Sequence, residues 1–224
     1  DMRILVTGGA GYVGTALCHS LLQLKEVESV TVYDNLSRHN YNLFIGIKKF
    51  DARYQFIEGD ILDSRNLRKA VSKADVVFHL AAKVTTPFAD QDAHLFEQVN
   101  HWGTAEVTYA VEESNVKHLI YLSSVSVYGS GDMAKGIDAE LNPKTFYGIS
   151  KMRAEEHVRR LEDKVKTTII RCGNVYGYNR SMRFDAVINK LLFEANFHNK
   201  INIHGTGDQH RPFVFIDTVT AALS

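Results

Sequence analysis

Cysteine is scarce: Cys18 and Cys172 are the two in 224 residues. They are too few for a multi-bridge framework and lack metal-site spacing, which favours a reducing, cytoplasmic setting. Proline is scarcer still for this length, at three residues; with 45% hydrophobic and 23% charged residues this excludes disordered and collagen-like chains. Excess charge of either sign is missing, since 26 Lys and Arg balance 26 Asp and Glu. Lys48-Lys49 and Arg159-Arg160 read as solvated helix faces, and no nucleic-acid partner is expected. No apolar run approaches the roughly 20 residues of a membrane span. The most apolar stretch, Ala74 to Ala82, carries Asp75 and His79, and Met2 to Val6 enters a strand without a signal-like basic region or cleavage site. Neither a membrane segment nor a secretory leader is expected. Ten histidines show no paired ligand spacing with Cys or carboxylate, so no metal is expected either.

What is present is a rhythm. Strand-length apolar runs recur at Ile4 to Thr7, Val30 to Tyr33, Tyr54 to Ile57, Val76 to Leu80, Leu119 to Leu122 and Thr167 to Arg171. Helical stretches fall between them, at Tyr12 to Leu24, Ser64 to Lys73 and Gln91 to Ser114. Continuous rather than alternating apolarity means strands covered on both faces, so the expected fold class is α/β, a Rossmann-type doubly wound parallel sheet. After Arg171 the glycines at 173, 177, 205 and 207 break shorter elements. Residues 1–171 are therefore expected to form one domain and 172–224 a partial, smaller one packed against it.

Thr7-Gly8-Gly9-Ala10-Gly11-Tyr12-Val13-Gly14 follows the first strand and opens the first helix. Glycines at 8, 11 and 14 let the chain turn tightly, let a pyrophosphate approach backbone N–H groups, and let helix and strand pack closely. The helix N-terminus then faces the phosphates with its partial positive charge. Asp34 lies just beyond the second strand, twenty residues on. It either accepts hydrogen bonds from both ribose hydroxyls, which selects NAD over NADP by repelling a 2′-phosphate, or caps the turn Asp34 to Ser37. Arg38 is the residue able to soften that preference.

Tyr147 and Lys151 stand four apart at the start of an expected helix reaching about Leu161, on one face. A nearby ammonium and the positive nicotinamide ring favour phenolate, so Tyr147 is expected to have its pKa lowered toward neutrality and to serve as a proton acceptor. Taken alone the pair reads equally as packing plus a solvated charge. Ser123-Ser124 at the carboxyl end of the fifth strand, where open α/β sheets place their chemistry, argues for a site.

Together these segments, with Gly59-Asp60-Ile61, His79-Leu80-Ala81-Ala82, Asn100, Gly103-Thr104, Ser123 to Gly129, Arg171 to Gly177 and Arg211 to Asp217, resemble the extended short-chain dehydrogenases/reductases of the NAD-dependent sugar-nucleotide epimerase/dehydratase family. The resemblance implies a cofactor site of Gly8, Gly11, Tyr12, Val13, Gly14, Asp34, Asn35, Asp60, Ile61, Leu80, Ala81, Ala82, Lys83, Asn100, Ser123, Tyr147 and Lys151. It implies Tyr147 as base, Lys151 on the nicotinamide ribose, Ser124 on the reacting sugar hydroxyl, and Asn174 and Arg211 at the nucleotide diphosphate. Asn174 also reads as a loop-ordering residue, and Arg211 as a partner of Asp208 or Asp217. Thr85 and Thr86 read equally as sugar contacts and as an extended segment before Pro87.

The dehydratase branch commonly carries Asp-Glu where this chain has Val125-Ser126, which disfavours dehydration and leaves nucleotide-sugar epimerisation as the expected reaction, UDP-glucose/UDP-galactose interconversion first among candidates. The alternatives are a reductase, decarboxylase or dehydratase of the same family, or a non-catalytic dinucleotide-binding protein. The family further implies a homodimer through the Gln91 to Ser114 and Tyr147 to Leu161 helices. Its members usually continue well beyond the Arg211 segment, so 172–224 is expected to be part of a substrate domain.

Overall fold

In the computed structural model, which describes residues 1–44, 51–84, 92–131, 135–203, 206 and 210–224, the six apolar runs form one parallel sheet. The strands are β1 (Met2–Thr7), β2 (Val27–Asp34), β3 (Tyr54–Glu58), β4 (Val76–His79), β5 (His118–Ser124) and β6 (Lys166–Cys172). Their order is β3-β2-β1-β4-β5-β6. The chain winds outward from β1 in one direction and then from β4 in the other, which opens a crevice at the carboxyl ends of these two strands.

Alternation along each strand divides the core in two. Ile4 and Val6 of β1 join one apolar cluster with Leu17 and Cys18, while Leu5 points to the opposite face with Leu67, Val107 and Ala154. Helix α1 (Tyr12–Leu21) therefore covers one face, and α2 (Ser64–Val71), α4 (Gly103–Glu112) and α5 (Phe146–Arg159) the other. Each fully buried Val or Leu contributes about 1.5–3 kcal/mol.

The helix expected over 91–114 is bent in its winding: α3 (Ala93–Phe96) passes through a π turn, Glu97–Trp102, into α4. After β6 come β7 (Asn174–Tyr176), α6 (Val187–His198), β8 (Phe213–Phe215) and α7 (Ile216–Leu223), with β7 and β8 forming a separate parallel pair. Val219 and Leu223 of α7 enter the same cluster as Val6 and Leu17. The segment after β6 is also tied to the first helix: the Tyr12 hydroxyl donates to the Gly177 carbonyl, Asn179 Nδ2 donates to the Tyr12 carbonyl at 2.9 Å, and Thr15 Oγ1 lies 3.1 Å from Ser181 Oγ.

Candidate active site

The glycine turn is set by close approach. Gly8 has φ +71°, and a Cβ there would stand 2.6 Å from the Ala81 nitrogen; a Cβ on Gly14 would stand 2.4 Å from the Gly8 carbonyl oxygen. Only glycine lets β1, α1 and the β4 loop meet this tightly. Helix α1 opens at Gly11 with no side-chain cap and no acid in its first turn, so its N-terminal N–H groups and partial positive charge face the crevice. These features fit a pyrophosphate.

Asp34 lies at the end of β2. Its Oδ2 accepts from the Ala10 N–H at 3.1 Å and its Oδ1 from the Leu36 N–H at 2.8 Å. It thus caps the turn, and each oxygen keeps a further acceptor direction for a ribose hydroxyl. Burial pushes its carboxyl up while the two N–H donors pull it down. Arg38 lies 3.8 Å from Asp185. Asn35 Nδ2 donates to Asp60 Oδ2 at 3.4 Å, and Tyr33 Oη to the Asp60 carbonyl at 2.8 Å, so Asn35, Asp60 and Ile61 gather beyond Asp34.

On the other side of the crevice, Leu80, Ala81, Ala82 and Lys83 follow β4. The buried Asn100, in the π turn, holds Lys83 through both of its main-chain groups, accepting from the N–H at 2.8 Å and donating to the carbonyl at 2.9 Å, and also donates to Ser150 Oγ at 3.0 Å. His79 is buried between Thr7 Oγ1 at 2.7 Å and Thr104 Oγ1 at 2.8 Å. Burial pulls its imidazole down to about 3, so it remains neutral and serves as one donor and one acceptor. Thr85 and Thr86 lie outside the described residues.

Helix α5 begins against the turn that follows β5. Thr145 Oγ1 caps it by accepting from the Gly148 N–H at 3.0 Å, and a Cβ on Gly148 would stand 2.7 Å from the Ser126 carbonyl oxygen. That contact fixes where Tyr147 and Lys151 lie relative to Ser124. Lys151 Nζ is buried, donates to the Leu122 carbonyl at 2.8 Å, and stands 4.8 Å from the Tyr121 ring centre and 6.0 Å from that of Tyr147. Ser124 Oγ accepts from the Ser126 N–H at 3.1 Å and lies 2.9 Å from Ser126 Oγ.

The expected lowering of the Tyr147 pKa is not found in the chain by itself. Burial pushes the phenol up to about 12, with the Ser124 hydroxyl and the Arg183 charge pulling the other way. Burial also pulls Lys151 down to about 7, against the favourable charge of Glu155. Desolvation thus works against the charged form of both groups, leaving Tyr147 a neutral phenol and Lys151 divided between amine and ammonium near pH 7.

The Ser123 side chain is held away from Ser124. Its hydroxyl donates to Glu155 at 2.6 Å, inside a buried network in which Arg171 binds the same carboxylate at 3.0 and 2.8 Å and Arg159 binds it at 2.9 Å. Consecutive strand residues point to opposite faces, so Ser123 braces α5 while Ser124 faces the crevice. In the C-terminal segment, Asn174 Nδ2 donates to the Pro212 carbonyl at 3.2 Å, and the β7–β8 register pairs Asn174 with Phe213, two residues after the exposed Arg211. Among the described residues, no group of three or more His, Cys, Asp or Glu could hold a metal, and no helix is long and apolar enough to cross a membrane.

A family model described as the NAD dependent epimerase/dehydratase family matches residues 4–224. The chain belongs to that family. It is 32% identical to dTDP-D-glucose 4,6-dehydratase of Bos taurus over 98% of its length, and spans 63% of that relative. UDP-glucuronic acid 4-epimerase of Bacillus cereus, solved with UDP-glucuronic acid and NAD, superposes with a TM-score of 0.88 at 29% identity, over 99% of this chain and 73% of that one. A dTDP-glucose 4,6-dehydratase of Streptomyces venezuelae, solved with NAD bound, gives 0.89 at 26% identity, over 99% and 70%. As a member of an NAD-dependent family, the chain offers a glycine turn and an Asp34 that fit this cofactor.

Several residues of this epimerase/dehydratase site escaped sequence reasoning. Glu155 sits one turn after Lys151, a spacing that was available as a signal. Ser150 and Thr104 act through hydrogen bonds to Asn100 and His79, far from them in sequence, which no local pattern carries. Cys172, opposite Ser124 in the β5–β6 register, was legible only once that register was known.

Proposed function

We propose that this chain carries out NAD-dependent epimerisation of a nucleotide sugar. The observation that supports it best is the Ser124, Tyr147 and Lys151 arrangement combined with Val125 and Ser126, which put no carboxyl group on the turn after β5. When bound, NAD+ supplies the acceptor that takes hydrogen from the sugar carbon and returns it. Tyr147 accepts the proton of the sugar hydroxyl and gives it back, while Ser124 holds the same oxygen. Lys151 binds the nicotinamide ribose, and its positive charge offsets the phenolate. Asn100 keeps the Lys83 main chain in place, and Asn174 and Arg211 bind the diphosphate, Arg211 with a forked donor set. Thr85 is assigned to the sugar, and residues 172–224 to part of a substrate domain.

A dehydratase reading has the support of the 32% identical relatives, but elimination of water requires acid/base groups near the reacting carbons, and the two positions after Ser124 are Val and Ser. The first test is incubation with NAD+ and a panel of nucleotide sugars, UDP-glucose first, followed by NMR. Appearance of the epimer without net NADH is expected, and Tyr147→Phe should still bind NAD while turnover falls by at least about 100-fold. A dehydrated keto sugar as sole product contradicts the reading. We also propose a homodimer through the segments of residues 91–114 and 147–161, where Trp102, at the end of the π turn before α4, is 53% exposed. Light scattering should give twice the chain mass at micromolar concentration, and a monomer mass contradicts it.

A further inference from the structure

We propose that the His101–His157 pair is a pH-sensitive latch on the π turn, so that acid releases the turn, and with it Asn100, from the cofactor side of the crevice. The inference rests on NAD binding beside Lys83 and is independent of which sugar reaction follows. A π turn is a rare winding, and this one is held at two neighbouring side chains. Asn100 runs inward, to the Lys83 main chain at 2.8 and 2.9 Å and to Ser150 Oγ at 3.0 Å. Ser150 Oγ in turn donates to the Tyr147 carbonyl at 2.7 Å. His101 meets α5 nearer the surface, where its Nε2 lies 3.0 Å from His157 Nε2.

The hydrogens of the pair are set by what surrounds it. Glu97 Oε2 lies 2.9 Å from His101 Nδ1, and a carboxylate only accepts, so Nδ1 carries a hydrogen. With both rings neutral, His101 Nε2 is then the acceptor, and the hydrogen between the rings comes from His157. One added proton, on either ring, still leaves one donor facing one acceptor. A second makes both Nε2 atoms donors at 3.0 Å and sets two positive rings against each other. The groups facing the pair do little to relieve this. Glu97 is already bound by Arg153 at 2.9 Å, and Arg160 lies 5.6 Å from the Tyr109 ring, which meets the His157 ring edge-on at 6.3 Å. Burial, His101 and Arg160 pull the His157 imidazole below its ordinary value, with Glu156 opposing them.

Calorimetry of NAD+ binding at about pH 7.5 and about pH 5.5 tests the latch. Trp102, the single tryptophan, monitors the pair by its emission, because its indole stacks on the His101 ring at 4.6 Å. Wild-type affinity should fall about fivefold in acid, the loss of one hydrogen bond expressed as an affinity ratio, and Trp102 emission should fall as the stacked ring gains charge. Lys151 gains charge over the same range and works in the opposite sense; being common to wild type and variants, it cancels in their comparison. His157→Gln sets an amide opposite His101 Nε2 that donates to the neutral ring and accepts from the charged one. Trp102 should then still titrate while the acid loss of affinity disappears. His157→Asn is too short to reach His101 and should bind NAD+ about fivefold more weakly at both pH values, which carries the test if the Gln variant folds poorly. An acid loss in His157→Gln equal to that of the wild type overturns the proposal, as does a wild-type affinity that stays level while Trp102 titrates, or Trp102 emission that is flat down to about pH 5. Light scattering on the same samples should give one mass at both pH values; an affinity loss that follows a change of mass places the effect between copies of the chain and overturns the latch. Neither measurement uses a sugar, so absence of epimerised product counts against the epimerase reading and leaves this result standing.

Discussion

Lys151 illustrates how one buried amine makes stability depend on pH. Its folded-state value is pulled to about 7 from an ordinary 10.5 by burial. Between those two values the unfolded chain holds a proton that the folded chain has given up, so stability rises with pH across that window and the penalty is fully present below pH 7. Above about pH 10 the raised Tyr147 works in the opposite sense, since the unfolded chain then loses a proton first. In the NAD-free protein the urea midpoint should rise from about pH 7 to about pH 9, and Lys151→Met should flatten that rise. The same rise in the variant would refute the assignment. The identities of Tyr147, Lys151 and Ser124 were legible in the sequence, because spacing on a helix and position at a strand end are local properties. Their resting protonation was not, because it depends on burial and on which carbonyl Lys151 meets.

At the scale of elements, β5, β6 and α5 are joined by Glu155. This fully buried carboxylate accepts from Ser123 on β5, from Arg171 on β6 and from Arg159 on its own helix. Removing Glu155 leaves Arg171 charged and largely desolvated while the exposed Arg159 returns to water, and loss of one partner of such a buried pair costs about 3–5 kcal/mol. Glu155→Ala should lose stability of that order in urea unfolding; a loss below about 1 kcal/mol would mean that the network is solvated and unimportant. The six sheet strands could be read beforehand because burial on both faces demands unbroken apolar runs. The short pair β7 and β8 could not, since Phe213 and Phe215 are more than one-third exposed and the signal shrinks to three residues. The π turn was equally hidden: a widened helical turn at Glu97–Trp102 has no compositional mark, although it is what delivers Asn100 to Lys83.

At the scale of the whole molecule, the reversal of strand order between β1 and β4 puts the glycine turn, Asp34 and the β4 loop around one crevice, and the next strand, β5, ends in Ser124 beside it. The segment after β6 closes on the same region through Tyr12, Thr15 and Asn179, while α7 shares the core of β1 and α1. That closure was only partly legible, since a boundary near residue 171 follows from glycine spacing but the hydrogen bonds across it do not. The central claim is that this architecture oxidises and re-reduces one sugar carbon without breaking a neighbouring C–H bond. Running the nucleotide-sugar reaction in D2O tests it most directly. Hydrogen taken from the carbon and returned within the closed site should give an epimer free of carbon-bound deuterium, whereas elimination of water passes a neighbouring C–H proton through solvent and leaves deuterium on carbon. Protonated epimer is the result predicted; a deuterated, dehydrated keto sugar would contradict the account.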